Sequence, residues 1–511
     1  MDEHIHPSEH DSRSKTRALL FSVFAIATCG LIYELLAGTI ASYVLGDSVT
    51  QFSTIIGVYL FAMGVGSYLS RYFRRDLIAA FIQIEILVGL IGGVSSLVLF
   101  LAFSELDAFR VVLYSWVAAT GILVGLEVPF LLRILEDQFP FRDLVSKVLS
   151  LDYLGALAAS LLFPLWLVPR VGLMRSSFVF GVLNLLVAIW TCHLFREQHR
   201  RPMLTVQAYA AFALLLVGVV FSQRLVAFTE QRLYPDPVIF SRASRYQRIV
   251  VTNAQGEMRL FLDGELQFSS LDEYRYHEAL VHPGLAAVAS PQQVLVLGGG
   301  DGMAVREILK DSRVQQVTLV DLDPAMTEIF TEHEAFAALN QYALRSPRVK
   351  VVNADAFVWL EDDTRRYDFI VVDFPDPSNY SLGKLYTTTF YAHLAAHLAD
   401  DGVAAIQSSS PLLARRAFWC VVETVRTAGL AATPYHVAIP SFGEWGYVIA
   451  SHEPFRIPDR LPGSLRFLNP TIMPSLFEFP TDMEKVPVEI NRLNNQILVR
   501  YHAEGWRQFA P

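Results

Sequence analysis

The chain has 511 residues, 53% of them hydrophobic, and a formal net charge of −9. That apolar share is too high for an ordinary water-soluble enzyme of this length. The acidic balance, with no stripe of Lys and Arg to track a phosphate backbone, argues against a nucleic-acid partner.

The chain opens with a polar tail, residues 1–18. Its His4, His6 and His10 read as part of a disordered segment rather than a metal site. The three cysteines, Cys29, Cys192 and Cys420, form no paired motif, so neither a disulfide framework nor a zinc site is expected, and no other metal. Residues 19–230 then read as an all-α multi-pass membrane bundle of about seven spans. The expected spans are Leu19–Gly38, Phe52–Leu69, Leu77–Phe103, Val111–Leu132, Leu149–Val168, Leu173–Leu194 and Val206–Phe221. The last is the shortest and the weakest.

Basic residues alternate between connectors. Arg13, Lys15 and Arg17, then Arg71, Arg74 and Arg75, then Arg133, Arg142 and Lys147, then Arg196, Arg200 and Arg201 fall on one side. Arg110, Arg170 and Arg175 fall on the other. The positive-inside rule therefore puts the amino terminus in the cytoplasm. Seven full spans export whatever follows; an even number, with Val206–Phe221 lying in the interface, keeps it inside. Both remain open. Multi-pass insertion in the cell (inner) membrane makes the lipid bilayer a partner.

Glu34, Glu85, Glu127 and Asp152 fall in or beside apolar spans. Such residues face a bundle interior, water or a partner. They read either as a cation or polyamine path or, the favoured reading, as neutral or hydrogen-bonded groups that fix packing. Gly121-x-x-x-Gly125 and Gly155-x-x-x-Ala159 allow close helix approach.

Residues 240–290 read as a small β-domain with a connecting helix. Gln247–Thr252 and Met258–Leu262 have strand composition, with turn signals at Asn253–Gly256 and Asp263-Gly264. A helix follows Ser270, with Asp272 as its expected starting residue. Tyr276, His277 and Glu278 put three polar groups together, and His282 reads as locally hydrogen bonded.

Residues 291–511 read as an α/β Rossmann-like, methyltransferase-type domain with a C-terminal extension. Val294–Leu297 is an apolar strand that runs into Gly298-Gly-Gly-Asp-Gly302 and a helix at Met303–Lys310. Gly298 and Gly300 let the backbone approach a ligand where a side chain would collide. No Gly-Lys-Ser/Thr follows, so a P-loop is not expected. Asp301 makes the loop unfit for a pyrophosphate and suits a neutral or cationic ligand. Strand Val317–Val320 ends at Asp321, placed to accept ribose hydroxyls. Val349–Val352 leads to Asp355, placed to accept from an adenine amino group. Tyr367–Val372 leads to Asp373 and Asp376, two carboxylates whose mutual repulsion favours a bound diamine.

These residues together resemble the spermidine synthase (polyamine aminopropyltransferase) family, from Tyr246 to about Phe477. The marks are Tyr246-Gln247, Leu262-Asp-Gly264, Gln267, Asp272-Glu273, Tyr276-His-Glu278, Gly298-Gly-Gly-Asp-Gly302, Arg306-Glu307, Asp355-Ala356, Asp373-x-x-Asp376-Pro377, Phe390-Tyr391 and Gln407. Membrane helices ahead of the enzyme resemble its membrane-associated branch. The resemblance implies that Gln247, His277, Gly298, Gly300, Asp301, Asp321 and Asp355 hold decarboxylated S-adenosylmethionine as co-substrate, with no other cofactor. It implies that Tyr276, Asp376 and Gln407 orient putrescine or another small polyamine, and that Asp373 is the general base. It also implies a homodimer or tetramer.

Some positions depart from the family pattern. Phe374 and Pro375 stand where small hydroxyl residues are common, and Phe442 where a tyrosine often meets the amine. Lys384 brings a positive charge near a pocket for cations unless it points away. Glu444 either compensates in the pocket or faces solvent. Two other functions stay open on the residues: a methyltransferase using intact S-adenosylmethionine, and a membrane protein that transports or senses polyamines.

Overall fold

The structure, a computed structural model, describes residues 9–45, 48–106, 108–136, 140–196 and 202–507. His4, His6 and the side chain of His10 lie outside what is described. The chain divides into two compact units, Met1–Pro237 and Val238–Pro511.

The first unit is helical. Helices α1 (Glu9–Leu45), α2 (Ser48–Leu69), α3 (Leu77–Glu105), α4 (Phe109–Leu135), α5 (Phe141–Leu162), α6 (Leu173–Leu194) and α7 (Pro202–Leu233) follow one another. Among the described residues, seven segments are long and apolar enough to cross a membrane. Helices suit that medium because they satisfy their own backbone groups. Two boundaries differ from the sequence reading. α1 begins at Glu9, inside the segment read as a polar tail. α7 spans 32 residues and is no short element. Hydropathy falls after Phe221, but no helix breaker appears until Pro235, so the helix outlasts its apolar run. α5 continues into a π-helical stretch, Phe163–Val171, that contains Pro164 and Pro169.

The small residues act as expected. A Cβ on Gly66 would lie 2.0 Å from the Ile122 carbonyl oxygen, and one on Gly125 2.2 Å from that of Met63. α2 and α4 therefore touch backbone to backbone. Gly155 does the same for α5 on α1, 2.6 Å from the Phe24 oxygen.

The second unit begins with a four-stranded antiparallel sheet: β1 (Val238–Ala243), β2 (Arg248–Ala254), β3 (Glu257–Leu262) and β4 (Glu265–Ser269). The sequence reading found only its two middle strands. Two-residue turns close the hairpins, Gln255-Gly256 at φ 53° and 90°, and Asp263-Gly264 at φ 50° and 88°. Two successive left-handed residues match the twist of the flanking strands.

Helix α8 (Glu273–Ala287) leads to a seven-stranded sheet. Its strands are β5 (Gln293–Gly298), β6 (Gln316–Asp321), β7 (Val349–Asn353), β8 (Tyr367–Asp373), β9 (Leu398–Gln407), β10 (Ala431–Ile439) and β11 (Gly443–Ser451). The spatial order is β10-β11-β9-β8-β5-β6-β7. β7, β6, β5, β8 and β9 run parallel; β11 alone is reversed, antiparallel to both β9 and β10. The accompanying helices are α9 (Met303–Leu309), α10 (Pro324–Glu332), α11 (Ala356–Asp362), α12 (Thr388–His397), α13 (Arg415–Thr427) and α14 (Ile497–Trp506). Val294–Leu297 is fully buried, as a strand covered on both faces must be. From β5 the chain moves outward through β6 and β7, then returns to lay β8 against the other edge of β5. Ligands of such sheets bind where that reversal opens a crevice at the strand ends.

If all seven of these helices cross a bilayer, the two ends of the chain lie on opposite faces. An epitope before Glu9 and another after Trp506 should be labelled from opposite sides of sealed vesicles. Labelling from the same side would mean that Pro202–Leu233 does not cross.

Candidate active site

The reversal point sets the geometry. Gly298 of β5 lies opposite Asp373 of β8 in register, and the Gly299 amide donates to the Asp373 carbonyl at 3.1 Å. A Cβ on Gly298 would lie 2.3 Å from that carbonyl oxygen, and Gly298 has φ +81°. Only glycine serves there on both counts. A Cβ on Gly300 would come within 2.7 Å of the Asp321 carboxylate. Asp321 accepts from the Gly300 amide at 3.0 Å and the Asp323 amide at 2.8 Å. Each oxygen keeps a free lone pair. Burial pushes Asp321 up to about 6, despite those amides.

Gln247 donates to Asp323 at 3.1 Å, and Asp323 caps α10 through the Ala325 amide. The small sheet is thereby joined to the end of β6. Asp301 accepts from the Met303 amide at 2.9 Å, and burial raises its carboxyl above the usual range. Asp355 caps α11 through the Phe357 amide at 2.9 Å. Its second oxygen meets Lys384 Nζ at 2.5 Å. Lys384 is therefore paired with Asp355.

Asp373 accepts from the Tyr276 hydroxyl at 2.7 Å. Burial, with the Asp373 charge adding to it, pushes the Tyr276 phenol well above its usual value, so it is a donor. Burial also pushes Asp373 up to about 6; Asp301 adds to this, while His277 and Tyr276 oppose it. Asp376 goes the other way. Burial works against its charge, but His502, Gln407 and Ser409 outweigh it and hold the carboxyl below the usual range. His502 Nε2 lies at 3.0 Å, Ser409 Oγ at 2.8 Å and Gln407 Nε2 at 3.1 Å. Gln407 also donates to the Phe374 carbonyl at 2.7 Å and meets the Tyr386 hydroxyl at 3.1 Å.

His277 Nδ1 sits 2.8 Å from the Glu273 carbonyl and 2.9 Å from its carboxylate. Both can only accept, so Nδ1 carries a proton. Burial works against charge on His277, but Glu273 outweighs it, with Asp301 and Asp373 adding, and the imidazole rises above its ordinary value. Behind it lies a buried chain of charges. Arg306 grips Glu273 with two nitrogens at 3.0 and 2.8 Å and meets Glu307 at 3.0 Å. Glu307 takes His282 at 2.8 Å and Lys310 at 2.6 Å.

Several expectations need correction. Of Tyr276, His277 and Glu278, only the first two come together, with ring centres 4.9 Å apart and both acting on Asp373. Glu278 turns the other way and accepts from the amides of Arg466, Phe467 and Leu468 at 2.7, 2.8 and 3.0 Å. Asp272 makes no side-chain cap on α8. It holds Ser441 through amide and hydroxyl at 2.7 and 2.9 Å, which pins the β10–β11 turn. Glu444 neither joins the pocket nor stands free; it pairs with His436. Phe374 is buried under the loop, edge-on to Tyr386 and Phe390. Phe442 lies beside Tyr276 and Trp445, with ring centres 6.3 and 5.2 Å away.

Ser409, Tyr386 and His502 escaped the sequence reading. Ser409 has φ +64°, a strained value for a side-chain-bearing residue and the kind of strain found at functional sites. His502 is on α14, 126 residues beyond the carboxylate that it meets. Among the described residues, no group of three or more His, Cys, Asp or Glu is arranged to hold a metal. None of the three cysteines is in a disulfide, and all three are buried.

Strand order, glycine loop and strand-end carboxylates define a Rossmann-like transferase. Comparison with known proteins narrows the class. Residues 273–457 match the family model described as the spermine/spermidine synthase domain. The polyamine aminopropyltransferase of Leptospira interrogans is 52% identical, over 96% of this chain and 99% of its own length. Polyamine aminopropyltransferase 2 of Ralstonia nicotianae is 52% identical over 96% and 98%. A crystal structure of spermidine synthase from Thermotoga maritima, 26% identical, covers 48% of this chain and 84% of its own with a TM-score of 0.44. The chain belongs to the polyamine aminopropyltransferase family, and it is an enzyme of that kind, with the long apolar helices included in the likeness. Family membership decides for aminopropyl transfer over methyl transfer.

Arg306→Ala should test the charge chain. Removing one partner of a buried ion pair costs about 3–5 kcal/mol. Glu273 is held at about 2 because His277 and Arg306 overcome its burial. In the wild type that stability is present above roughly pH 4, the ordinary glutamate value, and is lost as pH falls toward 2. Unfolding in detergent, followed by tryptophan fluorescence, should show the loss at neutral pH.

Proposed function

We propose that this enzyme moves the aminopropyl group of decarboxylated S-adenosylmethionine to putrescine or a related small amine, with Asp373 as general base. The observation that carries this is the opposed tuning of two neighbouring carboxylates: Asp373 pushed up to about 6 and Asp376 pushed down. Pairs whose surroundings separate them in this way mark a proton acceptor and a permanent charge.

The donor lies along the ends of β5, β6 and β7. Asp321 takes the ribose hydroxyls, Asp355 the adenine amino group once Lys384 yields, and the glycine loop passes beneath. Gln247 and His277 close the site from the small sheet and α8. Asp301 suits the donor sulfonium and repels a carboxylate, which favours the decarboxylated molecule over its parent.

The acceptor's far ammonium rests on Asp376, with Gln407 and Tyr276 shaping the pocket. An ammonium has no lone pair to attack with. Its near nitrogen gives a proton to Asp373, and the freed pair forms the N–C bond to the aminopropyl carbon. The C–S bond breaks, its electrons neutralise the sulfonium, and methylthioadenosine leaves. The proton on Asp373 returns to solvent. With putrescine the other product is spermidine. Alignment of the two reactants can supply much of the rate.

The same reading sets the enzyme in the cell membrane as a multi-pass protein, supported by its seven long apolar helices.

Asp373→Asn should lower kcat by about 10²–10⁴-fold, measured as methylthioadenosine release. In the wild type kcat/KM should rise with pH through about 6, because the base acts only when deprotonated. A profile flat from pH 5 to 8, or full turnover in Asp373→Asn, would remove the assigned base.

His502→Ala should raise KM for the amine about tenfold, the effect of losing one hydrogen bond to a charged group. KM for the sulfonium donor should stay unchanged, and His502→Gln should recover part of the loss. Equal effects on both substrates would mean general damage to the fold.

A further inference from the structure

The helical unit carries polar groups that the transfer reaction does not use. Glu85 of α3 and Glu127 of α4 are 0% and 1% exposed. Cys29 and Tyr33 of α1, Tyr59 of α2 and Asn184 of α6 are equally buried. These residues are close enough for mutual electrostatic effects: Glu85 and Glu127 both act on Cys29 and Tyr33, and Glu127 acts on Tyr59. The other groups that act within this set are Glu34 on Tyr59 and Asp152 on Glu127. Every one of them is an acid; no Lys or Arg is among them. Five helices thus bring one kind of chemistry to one place.

The hydrogen bonds leave an imbalance. Asn184 donates to Glu85 Oε2 at 2.7 Å. The Tyr59 hydroxyl donates to the Gly30 carbonyl at 2.8 Å, and the Cys29 thiol meets the Phe180 carbonyl at 3.7 Å. Glu85 Oε1, Glu127 Oε1, Asn184 Oδ1 and the Tyr33 hydroxyl then have no partner. Three of those four atoms can only accept while the carboxyls are ionised. The Tyr33 hydroxyl can supply one donor and the surrounding helix amides are bonded within their own helices, so with the carboxyls ionised the group holds more acceptors than donors.

Tyr33 is seated for this purpose. Its ring lies over Gly92, where a Cβ would come within 2.4 Å. Gly92 is two turns from Glu85 on the same face of α3. The absent side chain lets the phenol cross from α1 to the face that bears Glu85.

We propose that Glu85, Glu127, Asn184 and Tyr33 form an intramembrane site for a primary ammonium ion, and that its ligand is a small polyamine. An ammonium brings N–H donors and positive charge, the two things this group lacks. The choice of an amine over a metal ion rests on the polyamine chemistry proposed for the catalytic unit. The membrane unit then binds the same class of molecule as the enzyme it carries.

The test uses full-length protein in detergent with radiolabelled spermidine in equilibrium dialysis. In Asp373→Asn/Asp376→Asn the catalytic acceptor pocket is disabled, and one spermidine per chain should still bind. Adding Glu85→Gln/Glu127→Gln should weaken that binding about tenfold or more. Tetramethylammonium, a cation with no N–H, should not compete, and neither should sodium. On the otherwise unaltered chain, Glu85→Gln/Glu127→Gln should keep its methylthioadenosine release in detergent, which also reports a sound fold.

No bound spermidine in the Asp373→Asn/Asp376→Asn protein overturns the site, whatever the other variants do. So does undiminished binding after the glutamate changes, or displacement by tetramethylammonium or sodium. Failure of the base assignment shows separately, as turnover in Asp373→Asn.

Discussion

The catalytic unit depends on how tightly β5 and β8 meet at their carboxyl ends. The two strands are parallel neighbours, and their last paired residues are Gly298 and Asp373. Nothing larger than hydrogen fits at the first without striking the backbone of the second. That contact brings a carboxylate into a loop whose next residues approach a second one, Asp321. The glycines are thus needed by the protein's own packing before any ligand arrives. Both acids lie in the crevice because the chain reverses direction between these strands.

The burial that makes the crevice also sorts its charges. Desolvation acts on Asp321, Asp373 and Asp376 alike and disfavours the ionised form of each. What differs is the number and strength of donors around each group. Asp376 has three side-chain donors and keeps its charge. Asp373 has the Tyr276 hydroxyl and an acidic neighbour, Asp301, and holds a proton more readily. The buried chain from His277 through Glu273, Arg306 and Glu307 to His282 stiffens the wall opposite. It leaves His277 facing the acids from a fixed direction.

Much of this is legible in the sequence because parallel strands announce themselves. An apolar run of four to six residues followed by Gly or Asp gives both the strand and its ligand-facing end. Asp301, Asp321, Asp355 and Asp373 can therefore be placed from residue order alone. The carboxylates that serve the fold are harder. Glu278 and Asp272 look like Asp373 in composition, yet each is used up on backbone amides of a segment far along the chain. No spacing rule reveals such a partner. β1 and β4 escape because short strands at the edge of a small sheet show little alternation. The helical unit is readable in number, from hydropathy, but α7 runs on past its apolar core. The orphaned acceptors of Glu85 and Glu127 emerge only once five helices are assembled.

His502 gives the surroundings of Asp376 a dependence on time. It stands 126 residues downstream of Asp376. At a synthesis rate of 5–20 residues per second, that separation is about ten seconds on the ribosome. During that interval the glycine loop and its acids can already fold, while Asp376 still lacks its imidazole. A nascent chain would therefore assemble its glycine loop first and complete the donors around Asp376 last.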